Sequence, residues 1–350
     1  MTFLCKHQLP GGGALCGSER PADAPCGAFE YVRIEQPDDL PLAEPGVVDV
    51  AVLDMNHGWP NLGHDCIIHS LLDIACELLP LSEETGVRVR ALSFDVRRSG
   101  MIPELPGGRF GLYVGTGGPG HLDPRLNDGK SEWAQGVDEN PSWEAPLFRL
   151  FDAIISHPRA ALIGICHSFG LMCRWSQCAK PILRSKKSSG LLSNVLAEAA
   201  TQHPWFEKFA HELPDGKHFR IIDNRLFDLI LDDPSGVNCL SFEDENSAAV
   251  TMLEFARDAG GKMPRVFGVN HHPEIIDREH VLEVLDEKRA HGEVTDGWYH
   301  ERAGTMTDLL QGGNEQQTRL TSHYTFLGPL RHHVSQLIEE RCGSAIPRAV

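Results

Sequence analysis

Cys166 follows an apolar run at residues 160–165 and precedes a helix-like pattern that starts at His167. A thiol on such a strand-to-helix turn stands clear of the sheet, beside the free N–H groups of the helix's first turn. Those groups can bind an oxygen that becomes negative during acyl transfer. The positive end of the helix dipole also favours the thiolate, which is the nucleophilic form. Later in the chain the apolar run 265–269 ends in Asn270-His271-His272-Pro273-Glu274. An imidazole with a carboxylate two residues away suits a nucleophilic thiol. The ring takes the proton, and the carboxylate fixes its tautomer and stabilises the imidazolium. Gly115-Thr116-Gly117-Gly118-Pro119-Gly120 leaves its backbone N–H groups bare to a ligand. A phosphate-binding loop fits this run poorly, because no Lys-Ser/Thr follows and Pro119 interrupts the donors. Taken alone, Cys166 reads equally well as a small buried core residue.

These groups need a scaffold that brings distant residues to one place. Residues 47–53, 87–94, 110–114, 160–165 and 265–269 read as strands, and 67–79 and 145–155 as helices between them. Strand–helix–strand order predicts a parallel sheet with helices on both faces, and sites in such folds gather beyond the strand ends. Residues 218–222, 238–242 and 248–255 add further strands. The Arg184-Ser185-Lys186-Lys187-Ser188-Ser189-Gly190 run reads as a basic loop, either solvated or able to contact an anion. Residues 281–290 and 326–341 read as helices, the latter with Leu327, Leu330, Val334 and Leu337 at helical intervals. This C-terminal part is expected to form an exposed helical appendage.

Composition excludes several classes. The 350 residues are 41% hydrophobic and 23% charged, the balance of a soluble globular protein. No apolar run approaches the ~20 residues of a membrane span, and the start lacks a signal-peptide pattern, so a cytoplasmic protein is expected. Lys and Arg number 32 against 49 Asp and Glu, a net charge of −17, which disfavours nucleic-acid backbones as partners. Ten cysteines without a secretory signal favour reduced thiols and a metal site over a disulfide framework. Within the Gly/Pro-rich segment 1–45, Cys5, His7, Cys16 and Cys26 are the right number and type for a closed structural zinc site. The other reading of that segment is a tail with scattered cysteines.

Three motifs in order, Gly117-Gly118-Pro119-Gly120, Gly164-Ile165-Cys166 and His272-Pro273-Glu274, resemble those of the class I, triad-type glutamine amidotransferases. The resemblance covers residues 46–280. It implies an α/β three-layer sandwich with a central, mainly parallel sheet of flavodoxin-like type. Small N-terminal (1–45) and helical C-terminal (281–350) extensions would flank it. By motif position, Cys166 is the nucleophile, His272 the general base and then acid, and Glu274 its orienting partner. The N–H groups of Gly118 and His167 form the oxyanion hole, while Gly117, Ser168 and Gly170 fall at substrate-contacting positions. The family usually carries Gly two residues after the nucleophile and Gln or Glu four after it, where this chain has Ser168 and Gly170. The implied reaction is hydrolysis of glutamine, or of a γ-glutamyl amide, through a glutamyl thioester. It needs no catalytic cofactor, and its ammonia passes to a separate synthetase or acceptor subunit. The alternative is a catalytically silent relative that uses the fold as a binding or scaffold module.

Overall fold

Strand β2 (Val47–Asp54) shows why the sheet forms: all eight of its residues are buried. Val50 and Val52 pack into one apolar core, and Ala51 and Leu53 into another. The two-residue period of a strand thus places hydrophobic side chains on both faces, and both must be covered. In the computed structural model, which describes residues 27, 29–58 and 61–345, helices cover them. The remaining strands are β1 (Phe29–Ile34), β3 (Arg88–Asp95), β4 (Phe110–Gly115), β5 (Ala161–Ile165), β6 (Ala179–Leu196), β7 (His218–Leu231), β8 (Asn238–Glu243), β9 (Val250–Arg257) and β10 (Pro264–Val269). The helices are α1 (Leu62–Glu77), α2 (Leu79–Thr85), α3 (Val96–Ser99), α4 (Glu144–Ser156), α5 (His167–Ser176), α6 (Glu198–Thr201), α7 (Phe206–Glu212), α8 (Arg278–Ala290), α9 (Asp296–Asp308), α10 (Asn314–Ser322) and α11 (Gly328–Ala345).

The strands make one sheet in the order β1-β3-β2-β4-β5-β10-β9-β8-β6-β7. Pairing is parallel from β1 to β10 and antiparallel from β10 to β7. Ile67, Leu71 and Ile74 of α1 cover one face together with Leu330, Val334 and Ile338 of α11. Leu147, Leu150 and Phe151 of α4 and Leu171 and Met172 of α5 cover the other. The result is a three-layer α/β sandwich. Each fully buried Leu, Ile or Val side chain stabilises it by roughly 1.5–3 kcal/mol.

Four expectations change. Residues 29–34, read within a loop-rich segment, form β1 and pair in parallel with β3. The basic run 184–190 is no loop but part of the 18-residue strand β6, paired with β7 through a register shift between Leu183 and Ser188. A strand this polar and exposed carries no apolar alternation to reveal it. The stripe on α11 does not face solvent: Leu330, Val334 and Ile338 are fully buried, because the sheet face left open by α1 needs a second helix. Helices α9 and α10 add to the elements expected, their polar sequences giving little helical periodicity. Cys5, His7, Cys16 and Cys26 lie outside the described residues. Among the described residues, no group of three or more His, Cys, Asp or Glu is placed to hold a metal ion, and no helix is long and apolar enough to cross a membrane.

Candidate active site

Strand β5 is buried throughout and ends at Cys166, which caps the N-terminus of α5. Cys166 has φ 48° and ψ −100°, a conformation costly for a residue with a side chain and held only where the surroundings over-determine it. They do so here. Cys166 N–H donates to the Val269 carbonyl at 2.8 Å, and Gly170 N–H donates to the Cys166 carbonyl at 2.9 Å. The strain is thus built into the junction of β5, β10 and α5, where it lifts the side chain off the sheet.

His272 follows β10, and its N–H donates to the Ile222 carbonyl of β7 at 2.9 Å. Its Nδ1 lies 2.8 Å from Glu274 Oε1, with Glu274 almost fully buried. A methyl group placed on Gly117 would lie 3.0 Å from His272 Cε1 and 3.6 Å from Cys166 Cβ, so ring and thiol-bearing carbon border the same spot. Burial by itself pushes the His272 pKa down. The Glu274 carboxylate and the Cys166 sulfur, through charge and side-chain hydrogen bonding, outweigh it and hold the value well above the ordinary histidine range. The structure therefore brings Glu274 onto the His272 ring and places Cys166 beside it.

The neighbouring His271 is different. Its Nε2 lies 3.2 Å from Thr325 Oγ1, and burial, helped by the charges of His272 and Arg225, pushes its pKa down to about 3. It stays neutral and engages the C-terminal segment. A contact the motifs did not reveal is Gly63 in the first turn of α1: a Cβ there would come 2.5 Å from Glu274 Oε1. The carboxylate thus rests against a helix N-terminus, where the dipole favours negative charge.

Gly118 and His167 both line a cavity of about 290 Å³ together with Cys166 and His272. At Gly118 only glycine fits, since a Cβ would come 2.2 Å from the Met55 carbonyl oxygen. The His167 ring is buried. Burial, then the charges of Arg97, His121 and Arg174, push its pKa well below the ordinary value. The two expected oxyanion-hole positions thus border the same cavity.

The expected substrate contacts fare differently. Gly117, Ser168 and Gly170 are not among the residues that line the cavity, although Gly117 borders His272 and Cys166 as described. Ser168 is buried and its hydroxyl donates to the Thr116 carbonyl at 2.6 Å, tying α5 to the end of β4. A Cβ on Gly170 would lie 2.5 Å from Leu122 Cδ2, so Leu122 fills the space a longer side chain would use. Leu122 itself lines the cavity. At this position the cavity is lined by a side chain from the loop after β4 and not by one from α5.

The rest of the wall comes from elements the motifs did not mark. Asp223, Asn224 and Arg225 of β7 line it, as do Trp298, Arg302 and Met306 of α9. The only sequence signal for the β7 group is a polar triplet interrupting an apolar strand; α9 offers none. Lys187, from the run read as a basic loop, also lines the cavity, and its Nζ lies 3.4 Å from Glu301 of α9.

No family model matches the chain, and no curated protein matches it. Among solved structures, the chain is similar to a putative GMP synthase component from Thermoplasma acidophilum (12% identical, covering 69% of this chain and 93% of that chain, TM-score 0.37). It is also similar to a glutamine amidotransferase from Methylobacillus flagellatus (10% identical, 87% and 97%, TM-score 0.42) and to one from Thermotoga maritima (13% identical, 83% and 98%, TM-score 0.45).

Proposed function

We propose that the protein hydrolyses the side-chain amide of glutamine, or of a γ-glutamyl compound, with Cys166 as nucleophile. The thiolate adds to the amide carbonyl, and the oxygen that becomes negative is received by the Gly118 and His167 N–H groups. His272 then donates its proton to the departing nitrogen. The C–N bond breaks, ammonia or an amine leaves, and a glutamyl thioester remains on Cys166. Water, deprotonated by His272, attacks the thioester, and its collapse returns the thiol and releases the carboxylate product. Glu274 keeps the His272 Nδ1–H in place and offsets the imidazolium charge. Ammonia formed from glutamine is used by a separate acceptor enzyme.

The observation that carries this reading is the elbow itself: a strained Cys at a helix N-terminus, beside a histidine whose Nδ1 lies 2.8 Å from a buried glutamate. A purely structural cysteine gains nothing from backbone strain. The test is release of ammonia and glutamate from glutamine and from γ-glutamyl amides by wild type and Cys166→Ala. Loss of about 1,000-fold or more in the variant is expected. Equal rates in both would rule out Cys166 as the nucleophile, and absence of turnover together with no labelling of Cys166 by a glutamine-like electrophile would leave a silent binding module.

A further inference from the structure

The wall of the cavity runs against the charge of the chain. The protein carries a net charge of −17, yet the cavity-lining residues include Lys187, Arg225 and Arg302 and a single carboxylate, Asp223. The three cations are not equally neutralised. Lys187 lies 3.4 Å from Glu301. Arg225 is held by Glu243 and lies 3.2 Å from Asp223. Among the described residues Arg302 has only Glu301, at 3.6 Å, and that carboxylate accepts from Ser189 Oγ at 2.5 Å.

Arg302 is also mostly withdrawn from water, with 18% of its side chain exposed. Its guanidinium stacks 3.9 Å from the Trp298 ring centre, and its one hydrogen bond among the described residues goes to the Trp298 carbonyl at 3.4 Å. A guanidinium has five donors, so most of this one's are unspent. Burial, only partly opposed by Glu301, pushes its pKa down to about 10, still cationic at neutral pH. A second, independent sign comes from β7. Arg225 is only 4% exposed, and its Nη1 has no hydrogen-bond partner among the described residues. Desolvated donors left unmatched cost free energy that an anionic ligand would recover.

We propose that Arg302, together with Arg225, receives a carboxylate on the substrate, so that α9 selects amides that carry such a group. The planar fork of a guanidinium matches a carboxylate through two parallel hydrogen bonds. The inference rests on the amide-hydrolase reading for the ligand's amide. It assigns the choice of substrate to a segment beyond residue 280, outside the motif-bearing part of the chain.

The test is binding, so that it does not depend on turnover. On a Cys166→Ala background, glutaramate, which pairs one amide with one carboxylate, is titrated against glutaramide, its uncharged counterpart. The proteins are the parent, Arg302→Gln, Arg302→Lys and, as a control for α9 docking, Arg289→Gln, whose guanidinium stacks on Tyr299 at 4.6 Å outside the cavity. Arg302→Gln is expected to weaken glutaramate roughly 10- to 100-fold, with Arg302→Lys recovering part of the loss. Glutaramide binding and the Arg289→Gln variant stay near the parent. The proposal is overturned if the parent does not prefer glutaramate, if Arg302→Gln binds it as well as the parent, or if both probes weaken equally. Failure of the nucleophile assignment would abolish the turnover difference at Cys166 and leave this binding difference untouched.

Discussion

Strand β2 is buried along all eight of its residues, whereas β6 keeps only four of eighteen buried, and the two are held by different balances of apolar contact and charge. The parallel side of the sheet is mainly an apolar sandwich closed by α1, α4, α5 and α11, with the Arg33–Asp54 and Arg90–Asp49 pairs buried in it. The antiparallel side leans on charge. Arg184 pairs with Asp228 and with Glu243 at 2.7 Å, and Arg225 pairs with Glu243 and Asp223. The cavity lies between the two, and each side gives it what its construction suits. Close-packed strand ends hold Cys166, His272 and Gly118, which must sit within a fraction of an ångström of their places. The ribbon and α9 supply polar and charged groups that meet the outer part of a ligand.

The sharpest way to break this contrast is at Glu243, buried between two guanidinium groups. Glu243→Gln leaves both with reduced compensation, a change worth about 3–5 kcal/mol when a buried pair loses one partner. Hydrogen exchange should show β6 and β7 amides losing protection while β2, β4 and β5 keep theirs, and KM should rise more than kcat falls. Uniform loss of protection across the sheet would mean that the two sides form a single cooperative unit.

The same division explains what could be read in advance. Strands β2, β4, β5 and β10 announce themselves through apolar runs and β3 through alternation, and the three motifs sit at ends of β4, β5 and β10, because a reacting group must be of one type at one place. Leu122, Arg302 and the β7 triplet carry no such constraint. Any side chain of suitable size or charge, from any segment that reaches the cavity, can build a pocket wall. Ser168 and Gly170 illustrate the limit: position relative to Cys166 suggests contact with substrate, while packing gives one hydroxyl to Thr116 and the other space to Leu122.

On the parallel side, Gly118→Ala should strike the reaction and spare the fold. Its Cβ would meet backbone, the Met55 carbonyl oxygen, rather than a side chain able to swing away. The loop must therefore shift, carrying its N–H from the developing oxyanion. A fall of about 100- to 1,000-fold in kcat is expected, with little change in glutaramate binding to the Cys166→Ala form. Equal losses in both would place Gly118 in general pocket shape and blur the line between the two sides.

The smallest expected effect tests the charged pair that the apolar half holds at the cavity. His272 is buried, which disfavours its cation, but Glu274 and Cys166 raise its pKa well above the unfolded value of about 6.5. A basic group whose folded pKa is raised contributes stability that is fully present below its unfolded pKa and is lost as pH rises through the folded one. Glu274→Gln removes the largest raising influence, so its Tm deficit relative to wild type should be greatest near about pH 5.5 and shrink by about pH 9. A deficit that stays constant over this range would mean that Glu274 acts only as a packed hydrogen-bond acceptor. The imidazolium would then owe its place to the sulfur, and the parallel side would hold its reactive groups without help from charge.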